Sequence, residues 1–176
     1  MHVFWLKGFQ RTTPQDLLNA TGLSRSSLYN TFGSKQGLFV HALQAYTDSQ
    51  AAGMRQMLAS GSLRHALARM YDRLLDTVTA TEGPNACLIC MTSLGGTDDG
   101  DVAARLRDAR QTMEGVFLER LQAAQAAGDL GPDKPVEALA RLVFTTNMGL
   151  VTLARAGATR DELAQVVDLT LETICD

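Results

Sequence analysis

The sequence predicts an all-α protein, with an N-terminal helix-turn-helix head of three helices and a larger helical body. Three observations carry this prediction. Apolar residues recur at the three- and four-residue spacing of amphipathic helices along most of the chain. Clusters of glycine, proline and small polar residues punctuate that pattern: ASGS at 59–62, EGPN at 82–85, GGTDDGD at 95–101 and GDLGPDKP at 128–135. No stretch has the strict apolar–polar alternation of a half-buried strand.

Taken in order, Thr13 before Pro14 gives an N-cap and a proline at the first helical position. Asp16 at N3 completes a capping-box pattern. Leu17 and Leu18 lead to Gly22, a natural left-handed C-terminal residue. Ser24 caps the next helix, which turns Leu28 and Phe32 inward and ends at Gly33. Ser34 caps another, where Leu38, Phe39, Ala42, Leu43 and Tyr46 continue at helical spacing. Two short helices around a glycine turn, with polar side chains facing outward, are the arrangement that sets a recognition helix in a DNA groove.

Beyond the loop at 59–62, Leu63, Leu67, Met70, Tyr71, Leu74, Leu75 and Val78 form one broad stripe. Residues 86–94, ACLICMTSL, read as a short apolar helix, followed by a loop with helix-capping aspartates. A long helix over about 102–127 buries Leu106, Met113, Val116, Phe117 and Leu121. Residues 136–156 are apolar almost all round, which predicts packing on two sides. Arg160-Asp161 opens the last helix, with Leu163, Val166, Val167, Thr170, Leu171 and Ile174 on one stripe. The division into a head at 1–46 and a body at 47–176 falls within one long helix rather than at a flexible linker.

Bulk properties narrow the class. A chain of 176 residues with 45% hydrophobic residues can bury a sizeable core. Its apolar runs are interrupted before the roughly 18–20 residues of a membrane span, and no secretory pattern opens it. The expectation is a cytoplasmic protein with no membrane partner. Within residues 1–47 the basic side chains Lys7, Arg11, Arg25 and Lys35 face Asp16 alone; the other 12 basic and 18 acidic residues lie beyond. A head of net +3 on a body of net −6 suits phosphate attraction at one end.

No nucleophile–base set, paired carboxylates or phosphate-cradling glycine loop marks an enzyme. Cys87-Leu88-Ile89-Cys90 has the C-x-x-C spacing of a redox pair or half a zinc site. No βαβ pattern accompanies it, and His65 and Cys175 lack diagnostic spacing as further ligands. Core packing is the first reading and thiol-based redox sensing the alternative. No metal and no cofactor are expected.

The run from Thr13 to Phe39 resembles the DNA-binding domain of TetR-type bacterial transcriptional regulators. The carriers are the capped first helix, Gly22, Leu23-Ser24-Arg25, Leu28-Tyr29, Phe32, and Ser34-Lys35 before Leu38-Phe39. The resemblance implies that Arg25 and Ser26 reach base edges from the first turn of the recognition helix, arginine pairing with guanine. Tyr29 would touch a base methyl or a phosphate. Thr13, Ser27, Asn30, Thr31 and Lys35 would hold phosphates and fix register. Lys35 begins a helix, where the macrodipole disfavours a cation unless an anion is near. In the family the first helix starts well before Phe4-Trp5-Leu6-Lys7-Gly8-Phe9, and here only its last two turns are present: either the numbering begins late or the helix is short, and a short helix would leave apolar surface exposed around Phe4, Phe39 and Leu43.

For the body, the resemblance implies a homodimer through the last two long helices. The interface would be Leu139, Leu142, Val143, Thr146, Gly149, Leu150 and Leu153, with Leu163, Val166, Val167, Thr170, Leu171 and Ile174. About half of these must face the chain's own core. It also implies a cavity for a small effector, lined by Leu67, Met70, Tyr71, Leu74, Cys87, Cys90, Met91, Phe117, Phe144 and Met148, with Asn147 and Thr145 as polar anchors. Such a lining suits a neutral or weakly polar ligand. The function implied is a ligand-responsive repressor that binds a palindromic operator as a dimer.

Overall fold

The computed structural model describes residues 1–80 and 87–176. Among these it contains nine helices and no strand: α1 His2–Arg11, α2 Pro14–Thr21, α3 Arg25–Phe32, α4 Lys35–Leu58, α5 Leu63–Thr79, α6 Leu88–Gly95, α7 Gly100–Ala126, α8 Val136–Arg155 and α9 Arg160–Cys175. The EGPN breaker at 82–85 lies outside the described residues, as does Ala86. The helices group into two compact units: Met1–Asp48 with Ala86–Arg110, and Ser49–Asn85 with Gln111–Asp176. Packing thus joins a stretch from mid-chain to the N-terminal helices, which no linear boundary at residue 46 expresses.

In the first unit, α1 is broken at Gly8, whose φ of 73° and ψ of 167° lie outside the helical region. A left-handed residue costs glycine little, and here it lets Phe4 and Phe9 turn toward the same core. Phe4 meets Phe39 edge-on at 5.1 Å, and Phe9 meets Phe39 at 5.0 Å. Phe4, Phe39 and Leu43 are only 1%, 0% and 1% exposed. The exposed apolar surface that a short first helix would leave around these three residues is therefore absent. The physical reason is the aromatic cluster itself, together with α6, which packs on α1 and buries Leu88, Ile89 and Cys90.

The second unit is built on mutual packing of α5, α8 and α9. Two of these helix starts are capped by side chains. Ser62 accepts from the His65 amide at the head of α5, and Thr159 forms a full capping box with Glu162 at the head of α9. Arg120 on α7 donates to the carbonyls of Leu58 at 2.9 Å and Gly61 at 3.0 Å, fixing the turn between α4 and α5. Arg160 reaches Asp72 at 3.3 Å and Asp76 at 3.1 Å, tying the start of α9 to α5.

Helix α8 does reach the length and apolar composition of a membrane span, contrary to the expectation that every apolar run is interrupted too early. In this unit it is a core helix on one face only. Leu139, Val143, Thr146 and Leu150 are buried, whereas Thr145, Thr152 and Leu153 are exposed. The two-sided packing read from the sequence is not made within the unit described.

Candidate nucleic-acid interface

Local chemistry shapes the segment from Thr13 to Phe32. The Thr13 amide donates to Asp16 Oδ2 at 2.9 Å, and the Asp16 amide returns a bond to Thr13 Oγ1 at 3.2 Å. Gly22, with φ of 66°, closes α2 by donating to the Leu18 carbonyl at 2.9 Å. After two residues Ser24 starts α3, its hydroxyl accepting from the Ser27 amide at 3.1 Å. Gly33 ends α3 by donating to the Tyr29 carbonyl at 2.8 Å. The Ser34 hydroxyl accepts from the Gly37 amide at 3.0 Å, capping α4.

These caps leave α3 with a single fully buried residue, Leu28, at 0% exposed. Arg25, Ser26, Ser27, Asn30 and Thr31 are exposed and Tyr29 is half-buried. Among the described residues Arg25 makes no ion pair or hydrogen bond, so its guanidinium is available to an outside partner. Ser27 is partly used: its hydroxyl meets Ser24 Oγ at 2.9 Å. Thr31 Oγ1 donates back to the Ser27 carbonyl at 2.9 Å, and Thr13 Oγ1 serves its capping box. The Ser26 hydroxyl likewise meets Ser24 Oγ, at 3.0 Å, so of the eight residues assigned to DNA, Arg25, Asn30 and the edge of Tyr29 keep the freest polar groups.

Lys35 is placed otherwise. Its Nζ donates to the carbonyls of Phe9 and Thr12, each at 3.1 Å, and lies 4.6 Å above the Phe9 ring. In place of an anion, the cation at the head of α4 meets the partial negative charge of carbonyl oxygens at the C-terminal end of α1. Lys7 pairs with Asp16 at 2.6 Å. That ammonium, with the Thr13 amide and hydroxyl, lowers the Asp16 carboxyl pKa to about 2.

The residues assigned to an effector fall in both units. Cys87, Cys90 and Met91 belong to the first. Leu67, Met70, Tyr71 and Phe117, all buried, belong to the second with the half-buried Leu74, Phe144, Asn147 and Met148 and the exposed Thr145. Two polar atoms of this second group, Tyr71 Oη and Asn147 Oδ1, are buried without a hydrogen-bond partner among the described residues. Thr146 lies near enough to favour the ionised Tyr71 slightly without meeting hydrogen-bond geometry, and burial dominates, pushing the hydroxyl well above its usual range.

The residues assigned to a dimer divide between two faces. Leu139, Val143, Thr146, Leu150, Leu163, Val167, Thr170, Leu171 and Ile174 are buried in the second unit. Leu153 and Val166 are 46% and 40% exposed, and Leu142 and Gly149 are half-buried. Leu169 of α9, 65% exposed, lies outside the stripe that the sequence predicts. Its spacing of three from Val166 was the available signal, hidden because it lies off the stripe that forms the core.

Comparison with known proteins joins both parts. Residues 1–42 match the model of bacterial regulatory proteins of the tetR family, and residues 64–170 match the tetracyclin repressor-like C-terminal domain. The chain is 30% identical to the uncharacterized HTH-type transcriptional regulator YezE of Bacillus subtilis, covering 99% of this chain and 91% of that one. It is 31% identical to the HTH-type transcriptional repressor ComR of Escherichia coli, covering 97% and 83%. Among solved structures, a cysteine-substituted TetR family regulator, CifR, complexed with 26-bp operator DNA, superimposes with a TM-score of 0.87. It shares 31% identity, with coverage of 98% of this chain and 91% of that one. With head and body both matched in order, the chain belongs to the TetR family of DNA-binding bacterial transcriptional regulators.

Proposed function

We propose that the protein is a ligand-responsive repressor that binds a palindromic operator as a homodimer in the bacterial cytoplasm. A small, mostly apolar effector would release it. DNA binding is assigned to the head, residues 1–46, and effector binding and dimerisation to the body, residues 47–176. The observation that carries this reading is α3: one wholly buried leucine on one side, and Arg25, Ser26 and Asn30 presented to solvent on the other. A two-fold operator needs two heads, and the exposed apolar residues Leu153, Val166 and Leu169 of α8 and α9 suit a second copy.

The effector assignment is supported by Tyr71 and Asn147. A buried hydroxyl and a buried amide oxygen without partners each cost about 1–3 kcal/mol, which a bound molecule offering a donor and an acceptor would recover. Release then follows by population shift, the effector favouring a state in which the heads no longer match operator spacing. In vitro selection from random duplexes tests the core of the proposal. An enriched inverted repeat is expected with the natural chain, and a relaxed one with Arg25→Ala. Enrichment of unrelated, non-repeating sequences would sink it.

A second reading, thiol-based redox sensing, is favoured by one observation: the half-buried Cys87 Sγ accepts a hydrogen bond from Tyr46 Oη at 3.5 Å, inside the same compact unit as the head.

A further inference from the structure

Cys87 and Cys90 are reduced, not joined in a disulfide, and stand at the N-cap and N3 positions of α6. Those two positions bring side-chain tips together. In α3 of this same chain, the N-cap Ser24 and N3 Ser27 oxygens lie 2.9 Å apart. The N-cap backbone is alike in the two helices, with φ −69° and ψ 155° at Ser24 against φ −72° and ψ 132° at Cys87. Serine and cysteine differ only in the terminal atom. A rotation about one side-chain bond can therefore bring the sulfurs to the roughly 2 Å of a disulfide.

Unlike Ser24, Cys87 makes no side-chain cap; its sulfur is held by Tyr46 instead. The Leu88 amide, the first of α6, lies near the same Tyr46 hydroxyl. The buried Tyr46 ring meets Trp5 of α1 edge-on, at 5.4 Å and 74°. On the same helix Phe4 immediately precedes Trp5 and Phe9 follows four residues on, both in the head core. Thiol, tyrosine, tryptophan and the helix supporting α2 and α3 all lie in one unit.

We propose that a hydroperoxide converts Cys87 and Cys90 to a reversible disulfide, and that loss of the Tyr46–Cys87 hydrogen bond shifts Trp5 and α1 and weakens DNA binding. This inference rests on the thiol-sensing reading above and adds its chemistry and its route. The Cys87 thiolate attacks the hydroperoxide: an S–O bond forms, the O–O bond breaks, and the leaving oxygen departs as an alcohol, or as water from hydrogen peroxide. The Cys90 thiolate then attacks the Cys87 sulfenic sulfur; S–S forms, S–O breaks, and hydroxide leaves as water. Two thiols lose two electrons and two protons, and one peroxide bond is reduced. Coupling is reciprocal. If oxidation weakens DNA binding tenfold, bound DNA raises the reduction potential of the pair by about 30 mV.

The chain has a single tryptophan, so Trp5 emission reports on the route directly. The reduced full chain is treated with hydrogen peroxide and followed by intact mass, Trp5 emission and binding to the duplex enriched by selection. The expected result is a Cys87–Cys90 disulfide, a changed Trp5 emission and at least tenfold weaker DNA binding, all reversed by dithiothreitol. Cys87→Ser and Cys90→Ser should each abolish the response, and Cys175→Ser should not. Tyr46→Phe should still form the disulfide, but with less than a threefold change in DNA binding on oxidation. Absence of a Cys87–Cys90 disulfide in the natural chain overturns the thiol reading altogether. A disulfide that forms with Trp5 emission and DNA binding unchanged overturns only the coupling through Tyr46.

Discussion

Lys35 and Phe9 are joined twice, by a hydrogen bond of 3.1 Å from Nζ to the Phe9 carbonyl and by the ammonium lying 4.6 Å over the Phe9 ring. With the further bond to the Thr12 carbonyl, the side chain that the family resemblance assigns to a phosphate acts as a strap between α1 and α4. Lys35→Met keeps the aliphatic stem but strands two part-buried carbonyls. A charge-assisted bond is worth about 1.5–3 kcal/mol, and solvent screens this part-buried pair, so a net loss of about 1–3 kcal/mol in head stability is expected. Thermal unfolding should record it. The salt dependence of DNA binding should keep its slope; a slope lower by about one would return Lys35 to the phosphates.

Arg25 carries the opposite expectation. It is exposed in the first turn of α3 and makes no bond within the described residues. Arg25→Ala should cost about 1–3 kcal/mol on the selected duplex, with a much smaller loss on random DNA, because a bidentate base contact is lost. Competition anisotropy measures both. Equal losses on the two duplexes would make Arg25 a phosphate contact instead.

The Lys7–Asp16 pair makes head stability depend on acid. The lowered Asp16 carboxyl means the folded state holds its proton less tightly than the unfolded chain, chiefly through the Lys7 hydrogen bond and then through Thr13. That stabilisation is fully present above the unfolded value of about 3.8 and is lost as pH falls through about 2. Melting curves between these limits should show the natural chain losing more stability than Asp16→Asn. Parallel curves would remove Asp16 from the account of acid sensitivity.

These three sites also show what could be read before the fold was known. Caps are local, so Thr13, Ser24, Ser34 and the glycines at 22 and 33 announced α2, α3 and the start of α4 by residue type alone. Apolar spacing likewise gave Leu28 and the core stripe of α9. Side-chain destinations set by distant chain were not legible. Lys35 meets residues 23 and 26 positions away, and Tyr46 meets Cys87 at a separation of 41. Nothing periodic links such pairs. The closing of Phe4 and Phe39 also depends on non-local packing, including α6 on α1, which a window of a few turns does not contain.

Gly37 is a position where glycine is imposed by space rather than by dihedral angle. A Cβ there would overlap the Phe32 carbonyl oxygen, which is backbone and cannot rotate aside. Gly37→Ala should raise helix propensity in α4 yet lower stability by about 1–3 kcal/mol, since overpacking outweighs a gain of about 1 kcal/mol. Urea unfolding gives the sign. A stabilised variant would mean the turn between α3 and α4 yields easily.

The exposed apolar face of α8 and α9 bears on the proposed dimer. Leu169 and Val166 lie on α9 beside the buried Val167 and Thr170, so a substitution at Leu169 leaves the unit's own core intact. Leu169→Lys therefore separates folding from association. In a homodimer through this face, each copy would bury a new ammonium without a partner, a penalty of several kcal/mol. Sedimentation should show the dimer dissociation constant raised at least about a hundredfold, which is about 2.8 kcal/mol, with helical circular dichroism unchanged. DNA binding should fall with the dimer, because two linked heads gain from binding neighbouring half-sites and single heads do not. A Leu169→Lys protein that remains a tight dimer would place the two-fold contact on another surface and leave this face without an assigned partner.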